Sequence, residues 1–323
     1  MYHKPEDIAE QYELSVSQIT KGRDSYICQT DRGVKLLEPF GGSAERAEFL
    51  LEWEEAVNET GYRTEQILRT KEGTALAEDE FGKHYLMKDY FGGSECSTRK
   101  WEDMEQAAAA LARFHKAGSG CALVPPSFMQ QEPDALLLLY EKHTRELVKV
   151  KNYVRSRRSK NEFEECFAKH YDAFYQKALR AQKLLGGQTK SSAPLFVHGD
   201  YNQHNVLRTP EGWQVIHLEH LKKAPAMYDL SNFLRKMLEK NGWKAELGDR
   251  LIRAYDGIRS VSEDDMRLLF VMLSYPEKFW KVANHYSSSH KAWLSKRDLE
   301  KLEHVIAQEE QKEELLKFLF PFS

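Results

Sequence analysis

Short alternating runs of apolar and polar residues dominate the first ninety positions. The segments SYICQT and VKLLEPF flank a turn at residues 31–33 and predict a hairpin of two strands. Apolar residues then recur at helical spacing from Ser43 to Gly61, which stands where a glycine cap ends a helix. GTALAEDEFGKHYLMKDY predicts two more strands around Phe81 and Gly82. The pattern therefore predicts a small antiparallel sheet that carries one helix.

Helical spacing replaces this alternation from about Cys96 onward. LFVHGD interrupts the helices with a short apolar strand, and NVLR and WQVIHL flank a turn at residues 209–212 as a second hairpin. Further helices are predicted over residues 229–238, 244–258, 263–274 and 299–318. We therefore predict an α+β chain with a β-rich region over residues 1–90 and a mainly helical region over residues 91–323, which contains the hairpin.

Composition and charge exclude several classes of protein. Apolar residues make up 41% of the 323 positions, charged residues 30%, and the net charge is -3, which argues against both disorder and a strongly polyanion-binding protein. We expect no nucleic-acid partner, no membrane span and no secretory signal, and hence synthesis in the cytoplasm. The four cysteines form no CxxC pair, so a zinc ribbon is not expected.

The segment FVHGDYNQHNVLRTPEGWQVIHLEH carries the candidate chemistry. A strand leads into a loop that contains His198 and Asp200, and Asn205 follows five residues after the aspartate. The hairpin then returns the chain to His217 and Glu219. Phosphoryl transfer needs a carboxylate that orients the attacking hydroxyl, together with oxygen ligands that hold Mg²⁺ against the phosphates. The spacing predicts that these side chains meet at one point.

This segment resembles the catalytic loop of the aminoglycoside and choline kinase-like family, within the protein-kinase-like superfamily. His198, Gly199, Asp200 and Asn205 match its HGDxxxxN motif position by position. The resemblance implies a bilobal fold in which residues 1–90 form a nucleotide-lobe-like region and the HGDxxxxN loop belongs to the helical lobe. It also implies that Asp200 is the catalytic base, that Asn205 is a metal ligand, and that an active member uses ATP and Mg²⁺.

The second motif of that family is altered in this chain. Val215 to Glu219 align with VIDFE, so His217 occupies the position of the main metal-binding aspartate. Mg²⁺ prefers hard oxygen ligands, which imidazole does not supply. The loss of one preorganised electrostatic group costs about 3–4 kcal/mol at a transition state. Glu219, two residues further on the same predicted strand face, is an alternative metal ligand.

The nucleotide-binding side also departs from the family. QITKGRDSYIC has one glycine where a phosphate-binding loop needs several. Lys35 is the candidate for the strand lysine that contacts the phosphates. An alternative alignment of LLEP against LLKP places Glu38 at that position, and the sequence leaves both registers open.

Other segments resemble bacterial spore-coat proteins of the CotS and YutH type. These are LARFHKAGSGC, HGDYNQHNVL, PAMYDLSNFLRKML and SYPEKFWKVANHYSS, and the resemblance extends from about Tyr12 to Ser288. The YutH type is the nearer match, because the metal-binding aspartate is lost. The resemblance implies a location in the spore coat and other coat proteins as partners.

Three hypotheses follow. The first is a pseudokinase of the spore coat that needs no cofactor and acts through coat assembly. The second is an active ATP- and Mg²⁺-dependent phosphotransferase for a sugar or amino alcohol, with Asp200 as base. The third is a binding module that keeps a cleft for a small hydroxylated ligand and has lost the nucleotide.

Overall fold

The computed structural model describes residues 4–22, 24–129, 134–187, 194–288 and 296–321. The strands are β1 (Val16–Lys21), β2 (Tyr26–Thr30), β3 (Gly33–Pro39), β4 (Ala77–Glu78), β5 (His84–Asp89), β6 (Ser94–Glu95), β7 (Leu195–Val197), β8 (Val206–Thr209), β9 (Gly212–Val215) and β10 (Lys222–Ala224). The helices are α1 (Pro5–Ala9), α2 (Ala44–Glu59), α3 (Trp101–Ser119), α4 (Ala135–Ser156), α5 (Glu162–Gly186), α6 (Met227–Lys240), α7 (Ala245–Asp256), α8 (Glu263–Ser274), α9 (Glu277–Ser288), α10 (Lys296–Ala307) and α11 (Glu309–Leu319).

The first strands form a five-stranded antiparallel sheet in the order β1-β2-β3-β5-β4. The hairpin between β2 and β3 pairs Thr30 with Gly33, and Gly33 adopts a φ of 86°, a region that favours glycine. Alternate residues of a strand lie on opposite sheet faces, so Leu37 and its partner Met87 share one face. Both belong to an apolar core that includes Tyr12. The alternate residues of β3 and β5 therefore lie on the opposite face of the sheet, away from this core.

The chain divides into two compact units that differ from the predicted boundary after residue 90. The first unit comprises Met1–Ser97, Ala109–Gln130 and Leu195–Lys223, so the HGD loop and its hairpin group with the sheet and not with the helical region. The second unit comprises Thr98–Ala108, Gln131–Pro194 and Ala224–Ser323.

Two contacts explain why the first unit gathers distant segments. Strand β6 forms a three-stranded sheet with β8 and β9, which ties the hairpin to the N-terminal part of the chain. In α3, the Phe114 ring lies 5.5 Å from Trp53 and 6.1 Å from His198, measured between ring centroids. Buried aromatic area dominates core energetics, so these segments fold together.

The second unit is helical. The helix α5 begins with a capping box in which the Asn161 side chain accepts from Glu164 N and the Glu164 carboxylate accepts from Asn161 N. Its buried face packs with α4, α9 and α10 around Phe163, Phe167 and Phe279. The prediction of a single helix over residues 299–318 is wrong in one respect, because Gln308 separates α10 from α11.

No helix in the described part of the chain combines the length and the apolar character needed to cross a membrane.

Candidate functional site

The HGD loop is fixed by a buried histidine. His198 Nε2 lies 2.9 Å from Ile216 O, and Asp200 N donates to His198 Nδ1 at 3.2 Å. Because Nδ1 accepts, Nε2 carries the proton and donates to the carbonyl. Gly199 has a φ of 85°, and a Cβ there would lie 2.1 Å from His220 O. The loop therefore requires glycine at this position and holds Asp200 against the hairpin.

Two asparagines hold the backbone around Asp200. Asn205 Nδ2 donates to Asp200 O at 2.9 Å, and Asn202 Nδ2 donates to the same oxygen at 2.8 Å. Asn202 Nδ2 also lies 3.2 Å from Asp200 Oδ2. Ile216 N donates to Asn205 O at 3.1 Å, which joins the loop to the end of β9. The HGDxxxxN loop is thus fully formed.

The chain after β9 differs from the predicted strand. Strand β9 ends at Val215, His217 adopts a left-handed φ of 63°, and residues 218–220 form a short 3₁₀ helix. The backbone N of His217 donates to Glu65 Oε2 at 2.6 Å. A non-glycine residue with positive φ is uncommon and is retained where surrounding contacts determine it. Here the Glu65 carboxylate supplies that contact.

A buried lysine on β5 occupies the centre of the site. The Lys88 ammonium lies 2.5 Å from Glu38 Oε1, 2.8 Å from Glu219 Oε1 and 3.2 Å from Glu65 Oε2. Lys88 pairs with Leu36 in the sheet, so Glu38 lies on the same face two residues along β3. Only 2% of the Lys88 side chain is exposed. Three carboxylates from three distant segments therefore enclose one ammonium.

His217 and Arg46 complete this cluster. His217 Nδ1 lies 3.7 Å from Glu219 Oε1 and 3.9 Å from Glu38 Oε2. Arg46 Nε donates to Glu219 O, and its second nitrogen donates to Leu221 O, both at 2.8 Å. One ligand atom each from Glu38, His217 and Glu219 lies within 4.8 Å of the other two.

Contacts with opposite charges outweigh burial for Lys88, Glu219 and His217, but not for Glu38. Burial acts against the charged lysine, but Glu65, Glu219 and Glu38 raise the pKa of Lys88 well above its ordinary value. Burial also acts against the Glu219 carboxylate, yet Lys88 and His217 hold its pKa well below the usual range. Contact with Glu219 raises the pKa of His217 in spite of burial. Burial raises the pKa of Glu38 to about 7, with Lys88 opposing.

These residues do not fit a magnesium ion. Two of the three grouped ligand positions, Glu38 and Glu219, already bind the Lys88 ammonium, and the third is an imidazole. Mg²⁺ demands near-octahedral oxygen coordination and retains several waters. A cation fixed to the chain at hydrogen-bond distance from both carboxylates competes directly for that position.

The two residues that could align with the family's strand lysine lie in different surroundings. Lys35 pairs with Asp89 at a Nζ–Oδ1 distance of 2.5 Å and lies on the sheet face opposite to Glu38 and Lys88. Glu38 joins the cluster, and Lys35 does not. The cofactor-binding role of Lys35 stays a prediction, as do the roles of Asp200, Asn205, His217 and Glu219 in catalysis or metal binding.

Sequence reasoning missed Lys88 and Glu65. A signal for Lys88 was present, because it lies in the apolar strand HYLMKD, where Tyr85, Leu86 and Met87 are all buried. A lysine in such a strand is rarely buried without a partner. Glu65 lies in a connecting segment with no periodic pattern, so no local signal marks it.

A family model supplies the decisive comparison. The model described as the phosphotransferase enzyme family matches residues 7–268, which include the sheet, the HGD loop and the hairpin. The chain belongs to this family. The predicted bilobal kinase-like α+β fold is confirmed.

A relative of this phosphotransferase-family chain is a spore-coat protein. Spore coat protein S of Bacillus subtilis (strain 168) is 25% identical over 307 residues, which cover 91% of this chain and 86% of that protein. The predicted resemblance to CotS-type spore-coat proteins is therefore confirmed; the nearer likeness to the YutH type stays a prediction.

Two solved structures share the fold. An aminoglycoside phosphotransferase from Alicyclobacillus acidocaldarius subsp. acidocaldarius DSM 446 has a TM-score of 0.85 at 18% identity, over 99% of this chain and 96% of that chain. The AMP-bound complex of a spectinomycin phosphotransferase has a TM-score of 0.66 at 14% identity, with both chains fully covered.

Proposed function

We propose that this protein is a spore-coat component whose kinase-like fold does not transfer phosphoryl groups and which acts by assembly with other coat proteins. The similarity to spore coat protein S supports the coat role. The observation that carries the loss of catalysis is Lys88, held by Glu38, Glu65 and Glu219 at 2.5, 3.2 and 2.8 Å.

The Lys88 cluster disfavours a bound nucleotide for two reasons. Its ammonium neutralises the carboxylates that would otherwise attract a divalent cation. In addition, Glu38 stands in one alignment where the family has a lysine, so a carboxylate replaces a cation that contacts phosphate.

Isothermal titration of the full chain with Mg-ATP and Mg-ADP tests the catalytic part of the proposal. We expect no saturable heat at millimolar nucleotide, whereas an active family member measured in parallel binds in the same buffer. Saturable binding that requires Mg²⁺, followed by ADP release, would show that the protein is an enzyme.

The coat role is tested separately in a spore-forming host. A fluorescent fusion of the chain is expected to surround the developing spore, and cross-linking is expected to recover other coat proteins. A fusion that stays evenly distributed in the mother cell contradicts the coat role, whatever the titration shows.

A specific observation also favours the second candidate, an active small-molecule phosphotransferase. The Asp200 loop is complete, with Asn205 and Asn202 bound to the Asp200 carbonyl at 2.9 and 2.8 Å. If this loop is catalytic, Asp200→Asn abolishes ATP consumption in a screen of sugars and amino alcohols. Equal background rates in wild type and variant exclude that candidate.

A further inference from the structure

The helical unit contains a cavity whose lining includes no residue of the HGD loop or of the Lys88 cluster. A cavity of about 470 Å³ is lined entirely by residues of this unit, from α5, α6, α9, α10, α11 and the connections beside them. This volume lies within the range of about 300–1,000 Å³ that is typical of small-molecule sites. Trp243, Tyr275 and Phe279 supply aromatic surface to its lining, and all three are buried.

Lys312 lies in the lining of this cavity without a counter-ion. The residue is 7% exposed, and its Nζ lies 5.3 Å from the centre of the Trp243 ring. Among the residues that the structure describes, no carboxylate forms an ion pair with it and no group accepts a hydrogen bond from it. Lysine is almost never buried without a partner, because an isolated charge is costly to remove from water.

The carboxylates of the cavity are engaged by other cations. Glu239 lies 3.7 Å from Arg235 and 3.4 Å from Lys278. Glu277 lies 3.4 Å from Arg235 and 2.7 Å from Lys281.

The third acidic residue of the lining is also occupied. Glu309 lies 2.5 Å from Lys177, which binds Glu313 as well. Burial lowers the pKa of Lys312, and the nearby charges of Glu309 and Glu239 only partly oppose this effect. Among the described residues, Lys312 is therefore a buried cation of the lining that no acidic residue neutralises, whereas Lys240, which also forms no ion pair, is exposed.

We propose that this cavity binds a small aromatic carboxylate, with the carboxylate paired to Lys312 and the ring packed against Trp243. The buried, unpaired charge of Lys312 matches a single carboxylate, and the aromatic lining matches a planar apolar body. A charge-assisted hydrogen bond between the two ions would satisfy the buried ammonium. The inference rests on the helical unit alone and is independent of whether the chain transfers phosphate.

Matched ligands test this inference on the intact chain. In isothermal titration, 2-naphthoate is expected to bind at least about tenfold more tightly than its neutral analogue 2-naphthamide. Phenyl phosphate, a dianion, is expected to bind more weakly than the carboxylate. Equal binding of acid and amide, stronger binding of the phosphate, or no binding of any of the three would overturn the proposal.

Matched variants locate the site. Lys312→Met keeps the length and apolar stem of the side chain and removes its charge, so naphthoate binding is expected to fall about tenfold or more. Lys317→Met, on the exposed face of the same helix α11, is expected to bind as the wild type does. Unchanged binding in Lys312→Met places the carboxylate elsewhere and refutes the assignment. The comparison of acid with amide on the wild type decides the question even if Lys312→Met does not fold.

Discussion

At the scale of single residues, one lysine accounts for the character of the candidate site. Lys88 connects Glu38, Glu65 and Glu219, which come from β3, from the segment after α2 and from the chain after β9. A buried ion pair is weak evidence for stability, because desolvation offsets the attraction. Removal of one partner is nevertheless strongly unfavourable, since it leaves the others charged and unpaired.

The change Lys88→Met is expected to lower the free energy of unfolding by about 3–5 kcal/mol. Urea-induced unfolding followed by circular dichroism at pH 8 measures the loss. Lys21→Met, at the exposed end of β1, serves as the control and is expected to change stability by less than about 0.5 kcal/mol. A loss in Lys88→Met no greater than in the control would mean that the three carboxylates do not depend on this ammonium.

Glu38 makes stability depend on pH. Burial raises its pKa to about 7 from an ordinary 4.5, so the folded chain binds more protons than the unfolded chain between these values. The stabilising contribution is therefore complete below about pH 4.5 and is lost as the pH rises through 7, at up to about 1.4 kcal/mol per unit.

Urea unfolding at pH 5, 6 and 7 is expected to show stability falling with pH, and Glu38→Gln is expected to reduce that dependence. A part of it remains in the variant, because burial also raises the pKa of Glu54 and contact with Glu219 raises that of His217. Glu55→Gln, an exposed change on α2, should leave it as in the wild type. A slope of the opposite sign in the wild type, or one that Glu38→Gln does not alter, contradicts this assignment.

At the scale of elements, the periodic spacing of hydrophobic residues predicted most of the fold, and tertiary contacts determined the exceptions. The sheet, the helix α5 and the hairpin of β8 and β9 follow from local pattern. The end of β9 does not, because Glu65, about 150 positions earlier, holds His217 in a left-handed conformation.

The interruption at Gln308 likewise depends on partners outside its own helix. Its Oε1 accepts from Trp243 Nε1 at 3.2 Å, and its Nε2 donates to Glu239 O at 2.9 Å. The Lys88 cluster escaped prediction for the same reason, since its members are distant in sequence. The resemblance to a family located Asp200 and Asn205, because their motif is local.

The turn at Gly199 gives an element-scale prediction. Gly199→Ala combines an unfavourable positive φ with a Cβ position 2.1 Å from His220 O, so the loop must shift. We expect a loss of about 2 kcal/mol or more in unfolding free energy. Gly41→Ala has open space around its Cβ and is the matched control. Equal melting temperatures for the two variants would show that the loop adapts without strain.

At the scale of the whole molecule, the chain does not divide into two consecutive domains. The first unit takes its residues from three separate stretches. Helix α3 is divided between the two units: its residues up to Ala108 belong to the second unit, and those from Ala109 onward belong to the first. The core around Trp53 includes Phe114 and Phe196, which lie beyond the N-terminal region.

A fragment of residues 1–97 is therefore expected not to fold alone, because it lacks Phe114, Phe196 and the strands β8 and β9. Nuclear magnetic resonance should show narrow amide dispersion for this fragment. Coexpression with residues 98–323 supplies the missing segments and is expected to restore a soluble complex. Wide dispersion in the isolated fragment would mean that the sheet is self-sufficient.

A counter-ion that is part of the polypeptide has no dissociation constant. Lys88 is present at the same effective concentration in dilute buffer, in a chelator or in a nearly dry medium, whereas a bound metal depends on supply. The counter-ion of Glu38, Glu65 and Glu219 is consequently supplied at translation and is present wherever the folded chain persists.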